Sequence, residues 1–297
     1  MSGFNDWDQK SHCESYLLYP KNIGAFISID EVCLSQGEMY TFVTVKSARG
    51  KQGTILASIK GTRSSDITTA LKKLSLPLRN QVKEVTLDMA KNMESAIKAS
   101  FPMAKVVTDR FHVVKLVIDA LQHIRIKHRW IAIDKENEDI VNAKNLGIKY
   151  KVVVFENEDT PKQLLARSRH LLAKSPDKWT ENQKERAFIL FREYPQIKKA
   201  YQHVMMFRNI YENKLKSRAI QEFKLWIEQT KKLEIKEFNS TSKSIQYHLD
   251  NILNFFDHRS TNANAESFNS KIKLFRSNLR GVTDTSFFLF RLQNLFA

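Results

Sequence analysis

Five side chains in this sequence have the type and spacing to act together on a charged partner. Asp30 closes the apolar run G-A-F-I-S-I-D, Asp88 closes V-K-E-V-T-L-D, and Asp109 closes A-K-V-V-T-D. His112 follows Asp109 by one helical turn, and Glu266 stands far downstream in N-A-N-A-E-S-F-N. A carboxylate at the end of a buried strand is costly unless a cation or good hydrogen bonds offset it. Two such carboxylates side by side raise one another's pKa, and divalent cations relieve that repulsion. Asp30 and Asp88 therefore predict a metal site.

Each residue also has a plainer use. Asp30 or its neighbour Glu31 could merely end the strand, and because side chains alternate faces only one of the two can point at a shared site. Asp88 could be a helix N-cap. Asp109 could support the site from behind or cap a helix beginning at Arg110, and a lone histidine such as His112 is more often structural than functional. Glu266 could sit on a solvated helix face.

The elements that must position these groups follow from periodicity. Residues 1–22 lack a clear period and read as a loosely held lead-in. Gly24–Val32, Met39–Ser47 and Thr54–Ile59 alternate as strands, with turn residues between them, so they form an antiparallel meander. Ser64 or Ser65 can cap a helix that ends near Pro77. A fourth strand, Val82–Leu87, leads to Asp88 and a helix over Met89–Ser100; a fifth, Ala104–Thr108, leads to Asp109 and a helix over Arg110–Arg129. Three meandering strands followed by alternating helices and strands match an α/β, ribonuclease-H-like mixed five-stranded sheet, with the first strand central between the second and fourth.

From about Asp134 to Asp257 the pattern is helical, including Pro161–Lys174, Thr180–Tyr194 and Gln196–Lys232. Thr180 with Gln183 forms a capping box, and Lys149–Phe155 reads as a strand or a buried linker. Thr261–Phe275 opens with cap-type residues and lines up Ala265, Phe268, Ile272 and Phe275 on one face; a last helix covers Thr283–Phe296. The expected organisation is a lead-in at 1–22, a core at 23–130, a large all-helical insertion at 131–257, and core helices at 258–297.

Composition narrows the partners. The chain has 297 residues, 42% of them hydrophobic, which is ample for a core. With 48 Lys plus Arg against 32 Asp plus Glu, its formal net charge is +16, and its pI is about 9.7. That balance favours a polyanion such as nucleic acid. Two cysteines exclude a disulfide-built fold, and no run approaches membrane-spanning length. The expectation is a cytoplasmic, nucleoid-associated protein with no membrane partner.

The motifs I-S-I-D-E at 27–31, V-T-L-D-M at 85–89, F-P-M-A-K-V-V-T-D-R-F-H-V-V-K at 101–115 and T-N-A-N-A-E-S-F-N-S-K-I-K at 261–273, with Arg280-Gly281 beyond them, resemble those of insertion-sequence DDE transposases of the ISL3 type and the related two-frame ISAon-one elements. The resemblance runs from about residue 24 to the end. It implies Asp30, Asp88 and Glu266 as catalytic carboxylates that bind metal, with Asp109, Arg110 and His112 in support. It further implies two Mg²⁺ (or Mn²⁺) ions that activate a water or 3′-hydroxyl and stabilise the leaving oxygen at insertion-sequence ends and in strand transfer. Lys271, Lys273 and Arg276, close to Glu266, are the basic residues expected nearest the DNA. The implied partners are double-stranded DNA, a second copy of the chain and, because the lead-in is short, a separately encoded DNA-binding protein. A structure-specific nuclease or a catalytically idle DNA-binding derivative are the competing readings.

Overall fold

Alternating β-branched and aromatic residues build a mixed sheet whose two faces are both covered. The computed structural model describes residues 3–34, 37–279 and 281–297. Its strands are β1 (Tyr16–Leu18), β2 (Phe26–Cys33), β3 (Met39–Val45), β4 (Ile55–Lys60), β5 (Glu84–Leu87) and β6 (Lys105–Thr108). They lie in the order β1-β4-β3-β2-β5-β6. β2 pairs antiparallel with β3 and parallel with β5, so the first long strand is central as expected, and β5 pairs parallel with β6.

The sheet has six strands rather than five. The additional strand, β1, lies inside the expected lead-in and pairs with β4 through Tyr16↔Ile59 and Leu18↔Ala57. Three residues are too few to display a period of two, so the pattern that announced the other strands is absent here. Nor are the described residues of the lead-in loose. Trp7, Cys13 and Leu17 are buried, and the Trp7 indole donates to Gln293 Oε1 at 2.9 Å.

Successive side chains of a strand face opposite ways, and the two resulting faces bury separate apolar clusters. On one, Ile27, Ile29, Val85 and Leu87 pack with Ile67 and Leu71 of α1 (Ser64–Leu71) and with Met93 and Ile97 of α3 (Lys91–Ser100), beyond the short α2 (Leu76–Arg79). On the other, Val32, Tyr40 and Phe42 meet Phe268 and Ile272 of α12 (Ala263–Asn278) and Phe288, Leu289 and Leu292 of α13 (Thr285–Phe296). Each fully buried side chain of this size contributes about 1.5–3 kcal/mol. The N-cap of α1 is Arg63, without a side-chain cap, so neither Ser64 nor Ser65 plays that role.

The chain forms two compact units, 1–112 with 248–297, and 113–247. α4 (Arg110–Asn145) begins in the first and runs into the second; α10 (Leu249–Leu253) and α11 (Phe255–His258) complete the first. The second unit is helical, with α5 (Pro161–Arg167), α6 (Glu181–Glu193), α7 (Pro195–Ile210), α8 (Lys216–Leu233) and α9 (Glu237–Tyr247). Thr180 and Gln183 form the expected capping box on α6, and Thr160 and Gln163 form a second on α5. The expected helix over Gln196–Lys232 is broken between α7 and α8. Lys149–Phe155 is neither strand nor buried linker: Val152, Val153 and Val154 are exposed and irregular, since a valine run makes a strand only where another strand receives its hydrogen bonds. Packing centres on Phe207, Phe223, Trp226 and Phe238, with the His203 ring stacked on Trp226 at 4.6 Å between centroids.

Candidate active site

The register of the sheet assembles the acids. β2 and β5 pair Ile27↔Val85 and Ser28↔Thr86, so two residues further on Asp30 comes abreast of Asp88. β5 and β6 pair Thr86↔Val107 and Leu87↔Thr108, so one residue further on Asp88 comes abreast of Asp109. The Asp109 amide extends that ladder by donating to Leu87 O at 2.7 Å. Three aspartates thus form a row across the carboxyl ends of three parallel strands, with adjacent strands about 4.8 Å apart. Ligand sites in open α/β sheets lie at that end.

The ambiguity between Asp30 and Glu31 is resolved by parity. Ile27 and Ile29 face the α1/α3 side, so Asp30 faces α12, where Asn269 Nδ2 donates to its Oδ2 at 2.7 Å. Its Oδ1 accepts the Glu31 amide at 2.9 Å. Glu31 is exposed. Asp88 Oδ1 accepts the Ala90 amide at 2.8 Å, a turn that leads the chain into α3, and Ala90 rather than Asp88 is that helix's N-cap. Asp109 is buried; it accepts the Asn262 amide at 3.0 Å and meets His112 Nδ1 at 3.3 Å. That interaction with Asn262 ties the end of β6 to the start of α12.

Glu266 lies in the first turn of α12. Ala265, Phe268 and Ile272 press the opposite side of that helix into the core, with Phe268 edge-on to Phe42 at 6.4 Å. The first turn of a helix carries unpaired amides and the positive end of the dipole, which suits acids and phosphates. Asp109, His112 and Glu266 each bring a ligand atom within 4.8 Å of the others. Asp30 and Asp88 lie outside that group of three and interact with it electrostatically.

The acids act on one another. Burial above all pushes the Asp30 carboxyl up to about 6; the Glu31 amide and His112 oppose this, and Asp88 and Glu266 add to it. His112 is raised, chiefly by its hydrogen bond to Asp109, with Asp88 and Glu266 contributing. Next to this cluster, two buried amide groups have atoms without a hydrogen-bond partner: Asn269 Oδ1, on the side chain that holds Asp30, and both polar atoms of Asn262. Crowded carboxylates, a histidine and unsatisfied amides are oxygen and nitrogen donors suited to a hard divalent cation, so the residues fit a metal centre.

Two contributors were invisible in the sequence. Asn269 stands in the sequence only as the last residue of N-A-N-A-E-S-F-N, and nothing there connects it to Asp30. Lys46, just past β3, is largely buried; it donates to Thr86 Oγ1 and lies 3.5 Å from Glu84, on the strand that ends at Asp88. Burial lowers its pKa, while Glu84 and Asp109 oppose the shift. A lysine at a strand end carries no motif.

The expected basic triad divides. Lys273 is exposed. Lys271 Nζ donates to Gly50 O at 3.1 Å, tethering α12 to a turn whose glycine has φ 74°. Arg276 does not present its charge to an outside partner. It is buried, with Nη2 3.1 Å from Glu38 Oε1 and its guanidinium 5.0 Å from the Phe288 ring. It was expected near the DNA because it lies close to Glu266 in sequence; ten residues along the helix bring it to the inward side. Arg110 is half-buried at the start of α4, and Arg280 lies outside the described residues.

A family model of ISL3-type transposases matches residues 27–292 of the chain. Among curated proteins, the transposase for insertion sequence element IS1001 of Bordetella parapertussis is 23% identical over 272 residues, covering 91% of this chain and 61% of that protein. The chain thus spans about three fifths of that relative's length. No solved structure matches it.

Proposed function

The chain belongs to the ISL3 family of transposases, and we propose that it is a metal-dependent DNA transposase on a ribonuclease-H-like core that cuts insertion-sequence ends and joins them to target DNA. The observation that carries this reading is the row of Asp30, Asp88 and Asp109 across three parallel strand ends, facing the first turn of α12 with Glu266. Asp30, Asp88 and Glu266 would hold two divalent ions, Mg²⁺ or Mn²⁺, which supply an activated oxygen nucleophile and stabilise the leaving oxygen.

The protein's own groups orient that centre. Asn269 fixes the Asp30 carboxylate, the Asn262 amide fixes Asp109, and Asp109 holds His112 with Nδ1 turned inward. His112 carries positive charge to a higher pH than an isolated imidazole, which suits it to a phosphate oxygen. Phe111 next to it is exposed and offers a ring to an unpaired base. The partners are double-stranded DNA, a further copy of the chain and a separately encoded DNA-binding protein; Lys273 and the basic second unit contribute phosphate contacts.

A second assignment has its own support: the close grouping of Asp109 and His112 with Glu266 makes Asp109 a rival to Asp88 as the second metal-holding carboxylate. Labelled element ends, target DNA and Mg²⁺ or Mn²⁺, with and without a DNA-binding partner protein, test both. Asp30→Asn, Asp88→Asn and Glu266→Gln should each lower cleavage by at least about 10³-fold, the scale of losing a group that acts as part of a catalytic unit, with DNA affinity largely kept. Asp109→Asn should be milder. Loss in Asp109→Asn with activity kept in Asp88→Asn reverses the assignment, and hydrolysis without joined products reduces the activity to that of a nuclease.

A further inference from the structure

α4 carries apolar residues on two sides, one buried along its first half and the other running along its second half. Its inward side buries Val117, Ala120, Leu121 and Ile124, and Arg125 there donates to Leu165 O at 2.9 Å. Opposite lies a second stripe at Ile126, Trp130, Ile133, Asn137 and Ile140, with Val141 beside it. Trp130 is 61% exposed and Ile140 42%. The steps between stripe residues are four, three, four and three, the spacing of a coiled-coil seam with one polar position. At 100° per residue the stripe points almost directly away from the buried side. A seam with an exposed tryptophan, exposed Ile126 and Ile140 and a half-buried Ile133 is not what an ordinary helix surface carries.

Charge along the helix indicates what covers the seam. Lys127 and Arg129 flank its first half, while Asp134, Glu136, Glu138 and Asp139 crowd the second. Such a helix complements itself when reversed. With Trp130 laid against Ile133 of a second copy, Ile126 meets Asn137, Lys127 lies beside Asp134 and Arg129 beside Glu136, and the two-fold axis makes each contact twice. A parallel arrangement would instead set the acidic halves side by side. We propose that the outer face of α4 is a homodimer interface in which two copies pack these helices antiparallel about a two-fold axis near Ile131 and Ala132.

Two of the charges already have partners in the chain. Lys127 lies 3.6 Å from Glu237 and Glu136 lies 2.8 Å from Lys162. In both pairs the lysine is exposed and the carboxylate partly covered; ion pairs at a surface are worth about 0–1 kcal/mol, and contacts across the axis leave Lys127 and Glu136 partnered. Asn137 in the seam weakens association and fixes its register, which makes the dimer reversible. DNA is the less suitable occupant, because the four carboxylates of the second half repel phosphate.

Sedimentation velocity of the full chain over a concentration series tests the interface without any catalytic readout, so its outcome is separate from that of the transposase reading. Wild type should show a monomer–dimer equilibrium. Trp130→Ala with Ile126→Ser, at two seam positions that the chain's own fold leaves exposed, should raise the dimer dissociation constant on the order of 100-fold, as expected when a central anchor is lost. Asp134→Lys with Glu136→Lys should dissociate the dimer, and adding Lys127→Glu with Arg129→Glu should restore it; circular dichroism checks that each variant remains folded. A monomeric wild type, a dimer indifferent to either set of changes, failure of the charge swap to restore it, or loss of DNA binding by Trp130→Ala with association unchanged would each overturn the proposal.

Discussion

Two aspartates, Asp30 in the first unit and Asp159 in the second, meet opposite electrostatic fates. Asp159 is fully buried, but Arg167 donates to one of its oxygens, and Arg186, at 2.9 Å, and Asn157, at 3.0 Å, donate to the other. Burial alone would raise its pKa, and the two arginines more than cancel that and hold it below the usual range. Asp30 is less buried, yet burial pushes its pKa up to about 6, with Asp88 and Glu266 adding to the shift and only the Glu31 amide and His112 opposing it. The histidines contrast in the reverse sense. His203 is buried against Trp226 with Thr230 as its hydrogen-bond partner, and burial lowers it to about 4, whereas Asp109 raises His112. The charge of Asp159 is neutralised within the fold; that of the Asp30 row is left for something else to neutralise. That difference separates a structural ion pair from a site.

The largest effect expected from this contrast is on Asp159. Asp159→Ala leaves the partly covered Arg186 and the more exposed Arg167 without their shared carboxylate and should destabilise the protein by about 3 kcal/mol or more, read by urea unfolding. Asp30→Asn in metal-free buffer at pH 7.5 should move stability the other way, because it removes a charge that the fold resists. If both variants destabilised alike, Asp30 would be another internally satisfied acid, and nothing about it would call for an external cation.

The strand-end aspartates were readable before the structure because β-branched runs of known direction end in them, and strand adjacency follows from chain order. Their alignment was not, because it needs the register, and register depends on which side chains meet between strands. Glu266 could not be positioned by pattern, since more than a hundred residues of helix separate it from Asp109 and no periodicity spans such a gap. Asn269 acquires its role only when α12 docks over β2. β1 was too short to signal itself, and the pairing of Arg276 with Glu38 was not legible because nearness in sequence to Glu266 says nothing about which side of the helix it takes. The α4 stripe was present in the sequence throughout, but one long helix with two apolar sides shows no clean amphipathic period.

His203 gives the next effect in size. Its folded pKa lies below that of the unfolded chain, so its contribution is full above about 6.5 and is lost as pH falls toward 4. A drop from 6.5 to about 4 corresponds to about 3 kcal/mol, so unfolding free energy should fall by roughly that amount between pH 7 and 4. His203→Gln should flatten this acid limb while lowering stability at pH 7. An unchanged acid limb in the variant would mean that His203 is charged in the fold or that burial costs it little.

Asp30 provides the smaller and opposite slope. Its folded pKa, about 6, exceeds the 3.8 of an unperturbed carboxyl. The stability it contributes is therefore present below about pH 4 and lost as pH rises through 6. Partial exposure to solvent keeps the change to about 2 kcal/mol or less. The difference between wild type and Asp30→Asn isolates it from the His203 limb, because both carry the same His203. That difference should grow from pH 4 to 7 in metal-free buffer and shrink when millimolar Mg²⁺ is added, since a cation that binds the ionised row lowers its cost and binds only the folded state. Growth with pH that Mg²⁺ leaves untouched would keep Asp30 as a strained acid but remove it from the metal centre. No growth at all would mean that Asn269 and the Glu31 amide already satisfy it, and the two regions would then differ less than their electrostatics indicate.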